Sequence, residues 1–468
     1  MRISRREILK SIGATSFIAA TPRIARAETP DSFIVLNATE ATAPIGGTEY
    51  EPTAVWAYDG TVPGPVIRAK QGEELRVRFT NNLSQPSSVH WHGIRIANAM
   101  DGVAGLTQAP VQQGESFDYI FTPPDAGTYW YHPHARTWEQ LARGLYGMLI
   151  VEERTQPAFD ADIALMVDDW RLDDKGAIHE ASFKSMRDWS HAGRLGNWLT
   201  VNGQSQPKFE VPAGGRSRLR IANASNARVM SLVLLGGKVT IIALDGQPVP
   251  PQLVDEGETI EIAPAQRVDV MLAAPDAIGE EFDLAFKDRA EKLKIASFKT
   301  VAPLTPLKHG SIVLPDNPID RSLDLADAQQ VDLVMEGGAM GAMREAIYKG
   351  EKMDIRALVA EGKVWAFNGI VGRDEKPFFS AMRGRTVSVN MVNQTSWPHA
   401  IHFHGHHFLV IERDGKPVEE PAWRDTVLMA ANERIKIAFK ADNPGKWMVH
   451  CHMLEHQAAG MAAWFEVA

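Results

Sequence analysis

The sequence predicts an all-β protein of three consecutive β-sandwich units, on two observations. The first is texture. Short alternating apolar segments are separated throughout by Gly, Pro, Asn and Asp clusters, with 37 Gly and 28 Pro spread over 468 residues. Many short strands and turns require that composition, and long helices do not. The second is a repeat, the most direct sequence sign of a recurring folding unit. Its opening half is a turn, a Pro-containing stretch and a strand ending in Asn. It reads WAYDGTVPGPVIRAKQGEELRVRFTNNL from Trp56 to Leu83, then LTVNGQSQPKFEVPAGGRSRLRIANAS from Leu199 to Ser225. The third copy is WAFNGIVGRDEKPFFSAMRGRTVSVNMVNQT, from Trp365 to Thr395.

The closing half recurs as FDYIFTPPDAGTYWYHPH (Phe117 to His134) and IKIAFKADNPGKWMVHCH (Ile435 to His452). The middle copy, VDVMLAAPDAIGEEFDLAF (Val268 to Phe286), keeps the strand-turn-strand pattern without a histidine. Paired short strands in a repeat of roughly 130–150 residues suggest sandwiches, with units at 28–155, 156–304 and 305–468. Pro303, Pro306, Pro315 and Pro318 mark a linker into the third unit, and the spacing of Ile355, Leu358 and Val359 predicts a short helix from Met353 to Glu361.

Bulk composition narrows the class. With 44% hydrophobic and 23% charged residues the chain reads as soluble and globular. A net charge of -9 offers no basic surface for nucleic acid, and a single cysteine excludes an intramolecular disulfide framework. Residues 1–27 read as an export signal: Ser4-Arg5-Arg6-Glu7-Ile8-Leu9-Lys10 resembles the twin-arginine consensus, followed by an apolar stretch from Ser11 to Ala20. Ala25-Arg26-Ala27 supplies a small-x-small cleavage site, which places the mature start near Glu28 in a bacterial periplasm. The apolar stretch is shorter than the about 20 residues of a membrane span, so no span is expected in the mature protein; a monomer is expected.

The chemistry concentrates in HCHMLEHQAAGM, from His450 to Met461, which holds the only cysteine, Cys451. Thiolate, imidazole and thioether form a soft ligand set suited to copper. Four His-x-His pairs accompany it: His90/His92, His132/His134, His402/His404 and His450/His452. On a strand, residues two apart share a face and the one between faces away. The intervening Trp91, Pro133, Phe403 and Cys451 therefore point inward, and eight imidazoles line a surface shared by the first and third units. Inside the third unit, His399, His456 and Met461 are the partners available to Cys451. Two His, one Cys and a weak axial Met describe a blue-copper electron-transfer site. The eight remaining imidazoles suffice for three more coppers.

These motifs, HWHG, WYHPH, HAIHFHGH and HCHMLEHQAAGM, resemble those of the blue multicopper oxidases, a family that includes laccases, ascorbate oxidase and bacterial cuprous oxidases. The resemblance spans the mature chain and implies that each unit is a cupredoxin domain, a Greek-key β-sandwich. It implies type 1 copper ligands His399, Cys451, His456 and Met461, and type 2 ligands His90 and His402. It implies type 3 ligands His92, His132, His134, His404, His450 and His452, making four copper ions. The implied activity takes single electrons from a reductant at the edge of His399 or His456. It passes them through Cys451 to its neighbours His450 and His452, where dioxygen is reduced to water.

Asp101, in MDGVAG, matches an acidic residue that the family carries near the cluster, which implies a proton relay; a turn-forming Asp-Gly is the structural alternative. Several bacterial relatives carry a glutamate just after the last type 1 histidine, where this chain has Gln457. Glu455 is expected to point elsewhere. His179, His191 and His309 are expected to be solvated, and His406 and His407 not to be ligands. Gln394 to Pro398 contain no acid or methionine of the cuprous-oxidase kind, while Trp397 is suited to walling an organic reductant or covering the copper. Met335, Met340, Met343 and Met353 form a modest methionine group. A laccase-like oxidase of phenols and aromatic amines is favoured over a periplasmic cuprous or metal-ion oxidase. A copper-binding envelope protein without turnover ranks last, because no expected ligand is missing.

Overall fold

Every copy of the repeat builds its sandwich in the same way. A strand ahead of the motif pairs in parallel with the motif's own strand: Ile34–Ala43 with Leu75–Asn81, Ala161–Trp170 with Arg216–Asn223, and Gln329–Gly337 with Thr386–Asn393. The motif strand then pairs antiparallel with a later strand, in the registers Leu75↔Phe121, Arg216↔Ala273 and Thr386↔Lys440. A second sheet packs on each of these, and the two close over one apolar core per unit. A further cluster that includes Ile45, Trp130, Tyr146, Met166 and Trp170 seals the first unit to the second. This computed structural model describes residues 23–26, 29, 32–308, 310 and 312–468.

The Asn that ends each motif strand has a structural reason. Asn81, Asn223 and Asn393 are all buried, and each side-chain oxygen accepts from the backbone N–H two residues on: Leu83, Ser225 and Thr395. Each amide group donates to two carbonyls across the loop, Gln85 and Val111, Arg228 and Ile262, or Trp397 and Ala430. One short side chain thus satisfies the backbone polar groups of a buried loop exit. In the first and third units that loop leads into a histidine strand.

Those histidine strands are equivalent. His90–His92 pairs with Gly127–His132 so that His90 faces His132, and His399–Phe403 pairs with Gly445–Cys451 so that His402 faces His450. Trp91, Phe403 and Cys451 lie in their units' cores. Strand alternation accounts fully only for His90 and His92. The other strands end at His132, Phe403 and Cys451, so His134, His404 and His452 reach the shared surface as the chain leaves its sheet.

One local expectation changes. The predicted helix is shorter, Ile355–Ala360, because Met353 belongs to a hairpin of Glu345–Tyr348 with Glu351–Asp354. Lys349 and Gly350, both at positive φ, form its turn, and Asp354 caps the helix by accepting from Ala357 N at 2.8 Å. The proline linker is without strand or helix among its described residues but is pinned down. Buried Asn317 accepts from Ala126 N at 2.8 Å and donates to Gln247 Oε1 at 2.9 Å, holding it to the first two units. Most of the proposed export signal, residues 1–22 and 27, lies outside the described residues. Ile24–Ala25 forms a short strand parallel to Val66–Lys70.

Candidate metal centres

The single cysteine sits in the third unit's core with the imidazoles expected beside it. Cys451 Sγ is 3.6 Å from His399 Nδ1 and 3.7 Å from His456 Nδ1, and those two nitrogens are 3.0 Å apart. All three residues are fully buried. Met461 is buried in the same cluster, and its carbonyl accepts from Cys451 N at 3.1 Å.

The protons on these rings show what the pair is built to hold. His399 Nε2 bonds Thr395 Oγ1 at 2.8 Å, and that hydroxyl gives its own proton to Asn393 Oδ1. His456 Nε2 bonds the His191 carbonyl at 2.6 Å. Each ring proton is therefore on Nε2, and both Nδ1 atoms carry lone pairs. Two lone pairs at 3.0 Å repel unless a cation lies between them. The donor set fits a soft metal ion, and copper in particular.

The same reasoning holds at the interface of the first and third units. His90 Nδ1 donates to Asp101 O at 2.7 Å, His402 Nδ1 to Asp425 O at 2.9 Å, and His132 Nδ1 to Pro133 O at 2.9 Å. His450 Nδ1 donates to Cys451 O at 3.0 Å, His404 Nδ1 to Asp101 Oδ2 at 2.9 Å, and His92 Nε2 to Asp425 Oδ1 at 3.2 Å. Each opposite nitrogen is then a buried lone pair. Among the described residues His90 Nε2, His92 Nδ1 and His402 Nε2 have no hydrogen-bond partner, nor has His134 Nε2. His404 Nε2 faces His450 Nε2 at 3.2 Å, and His132 Nε2 faces His452 Nε2 at 3.4 Å. Buried acceptors without donors are costly. Here they converge from His90, His92, His132, His402, His404 and His450, with His134 and His452 beside them, an arrangement that suits metal cations.

Asp101 lies where its motif suggested. It is 2% exposed and touches both His90 and His404. Gly102 must follow it, at φ +79°, because a Cβ there would stand 1.8 Å from the Val89 carbonyl oxygen.

Sequence reasoning missed a second carboxylate. Asp425 contacts His92 and His402, and is held by two hydrogen bonds from Arg267, at 2.9 and 2.6 Å. Arg267 belongs to the second unit, so a unit without histidine ligands still reaches the cluster. Burial opposes ionisation of Asp425, but the Arg267 charge outweighs it and holds the carboxyl well below its ordinary range. The motif glycine Gly93 leaves room for this pair, since a Cβ would lie 2.3 Å from Arg267 Nη2. A WRDTV segment alone carries no metal-site signature; only the fold brings Asp425 to the histidines.

Other expectations resolve individually. His179 is exposed. His309 lies outside the described residues. His191 is half-buried rather than solvated, against Trp397 and on top of His456. His406 is packed among Phe439, Trp447 and Phe465, and His407 lies against Gln247; neither joins a ligand group. Glu455 turns toward the second unit, where its carboxylate accepts from Asn226 at 2.7 Å. Met335 is core, Met343 and Met353 pack at the hairpin, and Met340 is 77% exposed.

Burial also determines protonation. It pushes the Cys451 thiol up to about 12, and holds His450 at about 3 and His456 at about 4. Without metal the thiol is protonated and the imidazoles neutral, so binding a cation must displace the thiol proton. His406 at about 3 and His407 at about 4 behave like the ligand rings. Above the unfolded value of about 6.5 neither state carries these protons. As the pH falls below it the unfolded chain takes them up first, so folding weakens by about 1.4 kcal/mol per unit and group. Metal-free protein should therefore lose melting temperature steeply between pH 7 and pH 5; copper-loaded protein, whose bound rings and thiolate also carry no proton, should melt higher but lose at least as much over the same range. A flat profile for both forms would contradict this account.

Known proteins agree with this architecture. Three family models, each described as multicopper oxidase, match residues 39–156, 161–309 and 348–468. Multicopper oxidase MmcO of Mycobacterium tuberculosis is 31% identical over 441 residues, covering 86% of this chain and 81% of its own. The crystal structure of a multi-copper oxidase from Pseudomonas thermotolerans is 34% identical with a TM-score of 0.81, over 93% of this chain and 98% of that one. A multicopper oxidase from Campylobacter jejuni, described as a metallo-oxidase, is 27% identical with a TM-score of 0.78, over 97% and 96%. The chain belongs to the multicopper oxidase family and is an oxidoreductase.

Proposed function

We propose that this protein is a laccase-like oxidase that takes single electrons from phenols or aromatic amines and reduces dioxygen to water. In this reading a type 1 copper is held by His399, Cys451, His456 and Met461. A type 2 copper is held by His90 and His402, and a type 3 pair by His92, His132, His134, His404, His450 and His452. The observation that carries it is the convergence of buried imidazole lone pairs with no donor among the described residues. When bound, the four coppers supply the one-electron steps and the site of dioxygen reduction.

The chain's own contribution is placement. Cys451 lies between His450 and His452 in sequence, so one strand end joins the two sites by covalent bonds. Asp101 holds the His404 and His90 rings and is suited to proton delivery to the cluster. Asp101→Asn should slow dioxygen reduction about tenfold or more while leaving type 1 reduction by the donor unchanged. Equal rates for both steps would refute the proton role.

The dispersal of the methionines favours an organic reductant. Of Met335, Met340, Met343 and Met353 only Met340 is exposed, and no acid or methionine stands in Gln394 to Pro398. A metal-ion oxidase is the second reading, favoured by Met340 and by the metallo-oxidase neighbour. Comparing kcat/KM for a dimethoxyphenol and for Cu(I), with and without added copper, separates them. Phenol turnover that needs excess copper would reject the laccase-like assignment. We further propose export by the twin-arginine route to the periplasm. N-terminal sequencing of secreted protein should begin near Glu28. Retention of Ile24 and Ala25, which pair with Val66 and Ile67, would refute that cleavage point.

A further inference from the structure

Neither imidazole at the cysteine site reaches the surface. His399 and His456 are both 0% exposed, although an electron must enter past one of them. Trp365 covers both rings, with centroids 5.1 Å from His399 and 4.4 Å from His456, and is itself buried. The outer nitrogen of each ring is capped. Thr395 caps His399 and is 1% exposed, so that contact leads back into the protein. The His191 carbonyl caps His456 at 2.6 Å, and His191 is half-buried, from a loop of the second unit. That contact leads outward.

The His191 ring is held in place and has one free acceptor. Its Nδ1 bonds Ser190 Oγ at 2.9 Å, and that hydroxyl gives its proton to Met186 O at 2.7 Å. The ring proton is therefore on Nδ1, and Nε2 is a lone pair with no hydrogen bond to the described residues. The ring stands 5.1 Å from the Trp397 ring at 57°. Trp397 is fixed by its indole N–H on Ala339 O at 2.9 Å, and Ala339 N bonds Ser190 O at 2.7 Å. An aromatic face and an acceptor are thus locked side by side, one hydrogen bond from His456.

We infer that the His191–Trp397 pair is the docking site for aromatic reductants, and that His191 selects those bearing an O–H or N–H donor. This rests on the laccase-like reading. The donor hydrogen-bonds to His191 Nε2 while its ring lies against Trp397. The electron it gives up would cross the His191 carbonyl and the hydrogen bond to His456, and the Cu(II) that His456 would help to hold would accept it. A phenol becomes a phenoxyl radical as its hydroxyl proton passes to solvent.

The test is His191→Phe, which keeps the backbone carbonyl on His456 but removes the acceptor, with His191→Gln as the variant that retains one. His191→Phe should raise KM for dimethoxyphenol about tenfold, the worth of one hydrogen bond. It should weaken dimethoxyphenol binding to the metal-free protein equally, as read by tryptophan fluorescence. Reduction by ferrocyanide, which offers no O–H or N–H, should change less than about twofold, with blue absorbance and type 1 potential unchanged. His191→Gln should recover most of the phenol affinity. Unchanged phenol KM, or loss with both reductants together, would overturn the inference. Wild-type protein that oxidises ferrocyanide but no phenol would instead overturn the laccase-like reading.

Discussion

Cys451→Ser is expected to give a folded, colourless protein whose turnover falls by at least about three orders of magnitude, as when a residue at the centre of a catalytic unit is removed. Serine replaces sulfur with oxygen at a fully buried position without adding volume. Its hydroxyl can donate to either lone pair on His399 or His456, so folding should survive. What it cannot supply is a thiolate, the soft anionic ligand of a blue-copper site. The flanking His450 and His452 keep their positions, so copper should fall by one ion per chain while the interface cluster stays loaded. Loss of all copper would instead mean that the two sites form as a single folding unit.

Arg267→Leu is expected to have the largest effect on stability. Arg267 is 0% exposed and donates to Asp425 twice and to Thr128 O at 3.1 Å, while its backbone N–H donates to Asp245 Oδ1 at 3.0 Å. Removing the cation leaves two buried carboxylates, Asp425 and Asp245, without it. Breaking one side of such a pair costs about 3–5 kcal/mol. The apparent melting temperature should fall by about 10 °C, at 2–4 °C per kcal/mol for domains of this size. Because Asp425 orients His92 and His402, the interface cluster should lose copper while the blue site keeps its absorbance. Arg267→Lys restores the charge but not the paired geometry, and should fall between the two. If Arg267→Leu left melting and copper content unchanged, the second unit would have no part in the site.

Much of this was legible in one dimension, for identifiable reasons. Asn81, Asn223 and Asn393 recur in the sequence because the same loop must be closed three times. The His-x-His pairs were legible because strand geometry ties spacing to direction, even where the second histidine lies just past its strand. Asp101 could be singled out through its motif, and its turn role and its contact with the cluster proved compatible. Asp425, Arg267 and His191 could not be found this way. Each acts across more than 150 residues of chain, through contacts that leave no local spacing or periodicity.

By itself the sequence determined the all-β repeat, the family and the candidate ligand residues, because these depend on short-range pattern and on the chemistry of residue types. The tertiary structure alone decided how the second unit takes part. It showed that a unit without histidine ligands grips the cluster through Arg267 and caps His456 through His191. Those contacts come from how three similar sandwiches pack, and packing between distant surfaces is not written in the spacing of neighbours along the chain.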